Sequence, residues 1–189
     1  MKILNAPNLV TLSRIVLIPL IVGIFYLPDA WMGAQDKNVA ATAVFVFAAV
    51  TDWFDGWLAR RLDQMSAFGA FLDPVADKLM VVGALIVLLH LERVESVVAL
   101  IIIGREIAIS ALREWMAMVG QGKSVAVAFI GKLKTVSQMV AVPLLLFHDN
   151  LFGLVDCQWL GTILINVAAV LTVVSMLYYL RKALPHAAG

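Results

Sequence analysis

Cysteine, histidine and charge are all scarce in this chain. A single cysteine, Cys157, in 189 residues excludes an intramolecular disulfide and any cysteine metal cluster. Its expected role is that of a small apolar residue near a helix end. The three histidines, His90, His148 and His186, stand far apart at predicted helix ends or in the tail, so no zinc constellation is expected. Charged residues make up only 14% of the chain and hydrophobic ones 62%, whereas a soluble domain is about a quarter charged and half apolar. An all-α integral membrane protein is therefore expected. Its polar segments are too short to form a separate soluble domain, so residues 1–189 read as one membrane domain. No repeats or low-complexity segments occur, and a net charge of +1 says less than where the charges sit.

Six segments are long enough to cross ~30 Å of hydrocarbon at about 1.5 Å per residue. They are expected at Leu9–Leu27, Val39–Leu58, Phe68–His90, Val94–Val119, Val125–Phe147 and Leu160–Leu180. The breaks carry turn residues such as Pro28-Asp29, Glu92-Arg93, Gly120-Gln121-Gly122 and Asp149-Asn150. Lys2 and Arg14 flank the start of the first span and no clear small-residue cleavage site follows it, so it reads as retained. With an inside N-terminus, the outer loops hold Lys37 and Arg93. The inner ends then hold Lys2, Arg14, Arg60, Arg61, Lys123, Arg181 and Lys182. That asymmetry predicts cytoplasmic termini. Pro19, Pro74 and Pro143 fall within spans, as packing kinks or, at Pro74, as an adjustment of backbone beside a ligand.

What is present in this apolar chain is a run of acids. Asp52, Asp55, Asp73 and Asp77 stand at helical spacing across the second and third spans. Each unpaired carboxylate near a bilayer centre costs roughly 2.5–3.5 kcal/mol, so four approach ~10 kcal/mol, against total stabilities of about 5–15 kcal/mol. Something must compensate them. Asp52, Asp55, Gly56 and Ala59 share one helix face, and Gly69, Asp73 and Asp77 share another. A short connection makes the two helices antiparallel neighbours, so the faces can converge. Convergent carboxylates suit hard cations such as Mg²⁺ or Mn²⁺, and four of them would overcharge a site holding one ion, which points to two. Gly56 and Ala59 leave room for a ligand or for close helix packing. Arg60 lies where its fork can reach a phosphate or anchor the inner interface.

The pattern Asp52-x2-Asp55-Gly56-x2-Ala59-Arg60-x8-Gly69-x3-Asp73-x3-Asp77 matches the signature of the CDP-alcohol phosphotransferases throughout, and the chain closely resembles that family. The resemblance implies the family's six-helix fold, a metal site facing the cytoplasm and a homodimer. It also implies transfer of a phosphatidyl-type group from a CDP-linked donor to an alcohol, with release of CMP. On that resemblance, Asp52, Asp55 and Asp73 are metal ligands, and Asp77 is both a ligand and the general base for the acceptor hydroxyl. Gly56, Ala59 and Arg60 line the donor's cytidine diphosphate site, to which Asn8 and Gly69 are also assigned.

Further cations narrow the acceptor. Arg14, Arg105, Arg113, Lys132 and Lys134 lie within or beside spans on the inner side, more than a neutral alcohol requires and suited to an acceptor bearing its own phosphate. Each has a plainer role: Arg105 and Arg113 could pair with Glu106, Glu114 or an aspartate, Lys132 and Lys134 could snorkel, and Asn8 could cap a helix. Lys78 is expected to moderate the charge of Asp77. Residues 7–20, 104–116 and 124–139 resemble the bacterial family members that use CDP-diacylglycerol as donor and sn-glycerol 3-phosphate as acceptor, which places the chain in a bacterial inner membrane, in anionic phospholipid synthesis. Inositol phosphate as acceptor, or a divalent-cation transporter using the aspartates, are the alternatives left open.

Overall fold

The computed structural model describes residues 6–62, 67–120, 129–151 and 153–184; within them, the side chains of 6–10, 52–62, 67, 70, 129–130 and 182 fall outside the description. Six helices follow one another among these residues: α1 (Ala6–Phe25), α2 (Ala34–Leu62), α3 (Ala67–His90), α4 (Ser96–Met118), α5 (Phe129–Phe147) and α6 (Cys157–Ala183). Each falls on an expected span. α2 starts five residues earlier than expected and ends four later, and α6 starts three earlier. The early start of α6 has a local cause: Asp156 caps it by accepting a hydrogen bond from the Trp159 amide at 2.9 Å. Cys157 follows as a buried apolar residue, as expected.

Strands were not anticipated, yet β1 (Asn150–Leu151) pairs antiparallel with β2 (Val155–Asp156) around Gly153, whose φ is +70°. Two-residue strands are too short to leave a period in the sequence. The α3–α4 hairpin is tight, as its spacing requires. Glu92 adopts φ 56°, with the Arg93 amide bonded to the Leu88 carbonyl and the Glu92 amide to that of Leu89. That bonding pair is a Schellman ending, in a conformation glycine adopts more easily.

Buried apolar side chains from all six helices form one cluster, with Phe45, Leu85, Leu88, Ile102, Leu145 and Leu146 fully enclosed. Small residues let the helices approach. A Cβ added to Gly83 of α3 would stand 2.6 Å from Ile18 Cγ2 of α1, and one on Gly161 of α6 would stand 2.8 Å from Leu145 Cγ of α5. The outer surface is apolar too: Val16, Phe47, Leu100, Ile107, Val140 and Val170 are exposed, as lipid-facing helices require. By length and apolarity together, one helix among the described residues, at Cys157–Arg181, suffices on its own to cross a membrane, with a shorter apolar stretch at Thr11–Phe25.

The two cations expected in outer loops lie at the same end of the bundle, and both are engaged. Lys37 pairs with Asp29 at 2.6 Å. Arg93 donates to the Leu145 and Leu146 carbonyls at 3.1 and 2.8 Å and to Asn38 Oδ1 at 2.8 Å. It thereby satisfies carbonyls of the last turn of α5, which have no partner within their own helix.

Candidate active site

The acidic run divides between two helices. Asp52, Asp55, Gly56, Ala59 and Arg60 lie on the α2 backbone and Asn8 on that of α1, but their side chains are outside the described residues. Gly69 is buried in the first turn of α3. Asp73 and Asp77, one turn apart, stand on the face of α3 that meets α1. Thr11 donates to Asp73 Oδ1 at 2.6 Å. Arg14 reaches Asp77 Oδ1 at 2.5 Å and Asp73 Oδ1 at 3.6 Å. These pairs join residues 62 and 63 apart, so α1 and α3 run in parallel here. Arg14 is 2% exposed and the two carboxylates about half exposed. Arg14, expected to bind the acceptor phosphate, contacts Asp73 and Asp77 here, because it lies one turn along α1 from Thr11 and faces α3.

Asp77 also borders a cavity of about 450 Å³ between α3, α4, α5 and α6. Asp77 and Lys78 form part of one wall, and Arg105, Glu106, Arg113 and Lys134 supply charge from the others. Lys134 is 4% exposed, and it does not snorkel. Its Nζ donates to Glu106 Oε1, which also accepts from Arg105 Nη1 at 3.3 Å. Arg105 donates in addition to Ser175 at 3.2 Å. The Tyr179 ring lies beneath both guanidinium groups, 5.9 Å from Arg105 and 5.6 Å from Arg113, within cation–π range. The expected pairing of Arg105 with Glu106 is thus present, and Arg105 still faces the cavity.

Lys132 is exposed and does not line the cavity. Two residues along a helix turn by about 200°, so Lys132 and Lys134 cannot face the same way. The inward face of α5 is Gly131, Lys134, Thr135 and Gln138, a three-and-four spacing that the sequence displays but that the cluster of lysines obscured. Tyr179 and Gln138 were missed as candidates; a polar stripe on α5 could have revealed Gln138, whereas Tyr179 needs the packing of α6 on α4 to be seen. Among the described residues, no three or more Asp, Glu, His or Cys side chains converge as a metal site. Asp73 and Asp77 nevertheless offer hard, half-exposed oxygens on a common face, the donor type that suits Mg²⁺ or Mn²⁺.

These features define the class of protein. Residues 4–174 match the model of the CDP-alcohol phosphatidyltransferases, and the chain belongs to that family. It is 51% identical over 183 residues to the CDP-diacylglycerol–glycerol-3-phosphate 3-phosphatidyltransferases of Escherichia coli K12 and of Shigella flexneri serotype 5b, covering 95% of this chain and 94% of each relative. The Salmonella choleraesuis enzyme of the same name is 50% identical over the same span. Membership of a transferase family leaves the transporter alternative without support.

Proposed function

We infer that this protein transfers the phosphatidyl group of CDP-diacylglycerol to sn-glycerol 3-phosphate, giving phosphatidylglycerophosphate and CMP. Relatives named for that reaction match nearly the whole chain. The observation that carries the reading to residues is the cavity in which Asp77 meets Arg105, Arg113 and Lys134. The cations hold the acceptor phosphate, Arg113 and Arg105 as planar forks and Lys134 as a point charge. Asp77 accepts the proton of the acceptor hydroxyl as its oxygen bonds to the donor phosphorus and the bond from that phosphorus to CMP breaks. Arg14 orients the Asp77 carboxylate from behind. Asp52, Asp55, Asp73 and Asp77 would hold Mg²⁺ or Mn²⁺, two ions on charge grounds, which when bound neutralise the donor pyrophosphate and the departing CMP. Asn8, Gly56, Ala59, Arg60 and Gly69 form the donor side.

The same reading makes residues 1–189 one membrane domain with all six helices crossing a bacterial inner membrane, the termini and site on the cytoplasmic side, and two copies associating as a homodimer. The parallel course of α1 and α3, an apolar outer surface and the gathering of Lys37 and Arg93 at one end of the bundle support the crossing.

Purified protein in detergent, given CDP-diacylglycerol, Mg²⁺ and a panel of alcohols, is expected to release CMP chiefly with glycerol 3-phosphate. Preference for inositol phosphate would change the acceptor; silence with every alcohol would overturn the reaction. Asp77→Asn is expected to fold normally and lose most turnover.

A further inference from the structure

Among the described residues, Glu106 is the one carboxylate in the cavity wall that neither the metal site nor the general base uses. It is largely enclosed, with 16% of its side chain exposed, and a single oxygen, Oε1, accepts from both Lys134 and Arg105. A negative charge beside an anion site is at first sight a defect, because it repels the phosphate that the cations attract. Removing it should then tighten acceptor binding. The geometry argues for the opposite.

We propose that Glu106 is a positioning residue for the acceptor phosphate: it fixes the direction of Lys134 and Arg105 so that their remaining donors face the cavity. The proposal rests on the reading of this cavity as the acceptor site. Lys134 carries its ammonium on a flexible four-carbon stem and is nearly enclosed, so without a counter-charge its burial is costly and its direction unset. One of its three N–H donors goes to Glu106, leaving the others for phosphate oxygens. Arg105 is held from two sides, by Glu106 and by Ser175 on α6, with the Tyr179 ring beneath it. Glu106 and Arg113 are seven residues apart on α4, nearly two full turns, and so share a face. Glu106 therefore joins α4 to α5 at the level where the phosphate is to be held, and its cost in repulsion is offset by the order it imposes on two cations.

The sign of the effect decides the matter. Glu106→Ala is expected to raise the glycerol 3-phosphate KM about tenfold, the scale of one lost charge-assisted hydrogen bond. The CDP-diacylglycerol KM should move less than about twofold. Glu106→Gln, which keeps an acceptor oxygen and loses the charge, should fall between, and Glu106→Asp should recover part of the loss. In a double-mutant cycle with Lys134→Ala, the two substitutions should add to less than their sum, because Glu106 acts in part through Lys134 and in part through Arg105. An acceptor KM that falls or stays constant in both Ala and Gln variants overturns the proposal, as do equal rises in both KM values or full additivity in the cycle. If Glu106→Ala does not fold, the Gln and Asp variants carry the same test. If Lys134→Ala alone leaves the acceptor KM unchanged, it is the acceptor-site reading that fails.

Discussion

Replacing Arg14 by Gln separates two roles that the sequence alone could not. As a phosphate ligand, Arg14 would matter only to acceptor binding. The structure instead sets it against Asp77 at 2.5 Å and Asp73 at 3.6 Å, at 2% exposure. Two unit charges about 4 Å apart interact by about 4 kcal/mol at an effective dielectric of 20 and about 1 kcal/mol in water. Because both carboxylates are half exposed, a value between these applies, about 2 kcal/mol. In a chain of this size that is a fall of about 4–8 °C in the metal-free melting temperature, read by thermal unfolding in detergent. Divalent cations should take over the lost neutralisation, so saturating Mg²⁺ should raise the melting temperature of Arg14→Gln by more than that of the parent. The concentration of Mg²⁺ needed for half-activation should fall several-fold, since a competing cation is gone. Arg14→Lys should behave nearly as the parent. A rise in acceptor KM alone, with metal-free stability and Mg²⁺ response unchanged, would refute this account and return Arg14 to the acceptor site.

Two further outcomes concern the scaffold. Gly83→Ala should destabilise the protein by about 1–3 kcal/mol through overpacking, because the new Cβ meets Ile18 Cγ2 at 2.6 Å; Ile18→Ala should restore most of the loss in thermal unfolding, and Ile18→Val, which keeps that methyl, should not. At the far end of the bundle, burial first and the Arg93 charge second hold the His148 imidazole below its ordinary value, opposed by Asp149 and Asp156. A depressed histidine favours its neutral form in the fold, so its contribution is present above the unfolded value of about 6.5 and is lost as pH falls below it. The melting temperature should therefore decline on the acid side. His148→Asn, which also suits the φ of 66°, should remove that part of the decline.

The sequence made the helices legible because apolar runs of membrane length have few competing explanations. It made the acidic faces legible because Asp73 and Asp77 obey the helix repeat. It failed where a contact depends on which helix lies opposite. Nothing local indicates that Arg93 caps α5, 52 residues away, or that Tyr179 on α6 supports two arginines of α4. The sequence marks Arg14 as a charged residue beside the inner interface but not its contacts with Asp73 and Asp77, because such a cation is equally suited to a phosphate and to a carboxylate until its neighbour is known. Lys132 and Lys134 illustrate the same limit in reverse. Their adjacency suggested a shared task, while the helix repeat, already available in the sequence, separates them.

Charge balance explains why this cavity should take an anion and why charge alone does not choose which. Among the described residues, Lys78, Arg105, Arg113 and Lys134 face it with Asp77 and Glu106, an excess of two positive charges. Such an excess is costly at low dielectric unless an anion joins it, and a phosphate monoester dianion matches it. Inositol phosphate and glycerol 3-phosphate carry that same group and satisfy the cations equally well. Discrimination must therefore arise from the uncharged part of the wall, where Thr135 and Gln138 stand one turn apart beside Lys134. Gln138 is buried with its Oε1 unpaired, whereas Thr135 is exposed and donates to the Gly131 carbonyl at 3.0 Å, so Gln138 is the group that a poorly fitting ring would leave unsatisfied. If the cations set affinity for the phosphate, Gln138→Ala is expected to narrow the preference for glycerol 3-phosphate over inositol phosphate in the CMP-release assay while leaving affinity for inorganic phosphate nearly unchanged, and an unaltered preference would refute a role for α5 in choosing the acceptor.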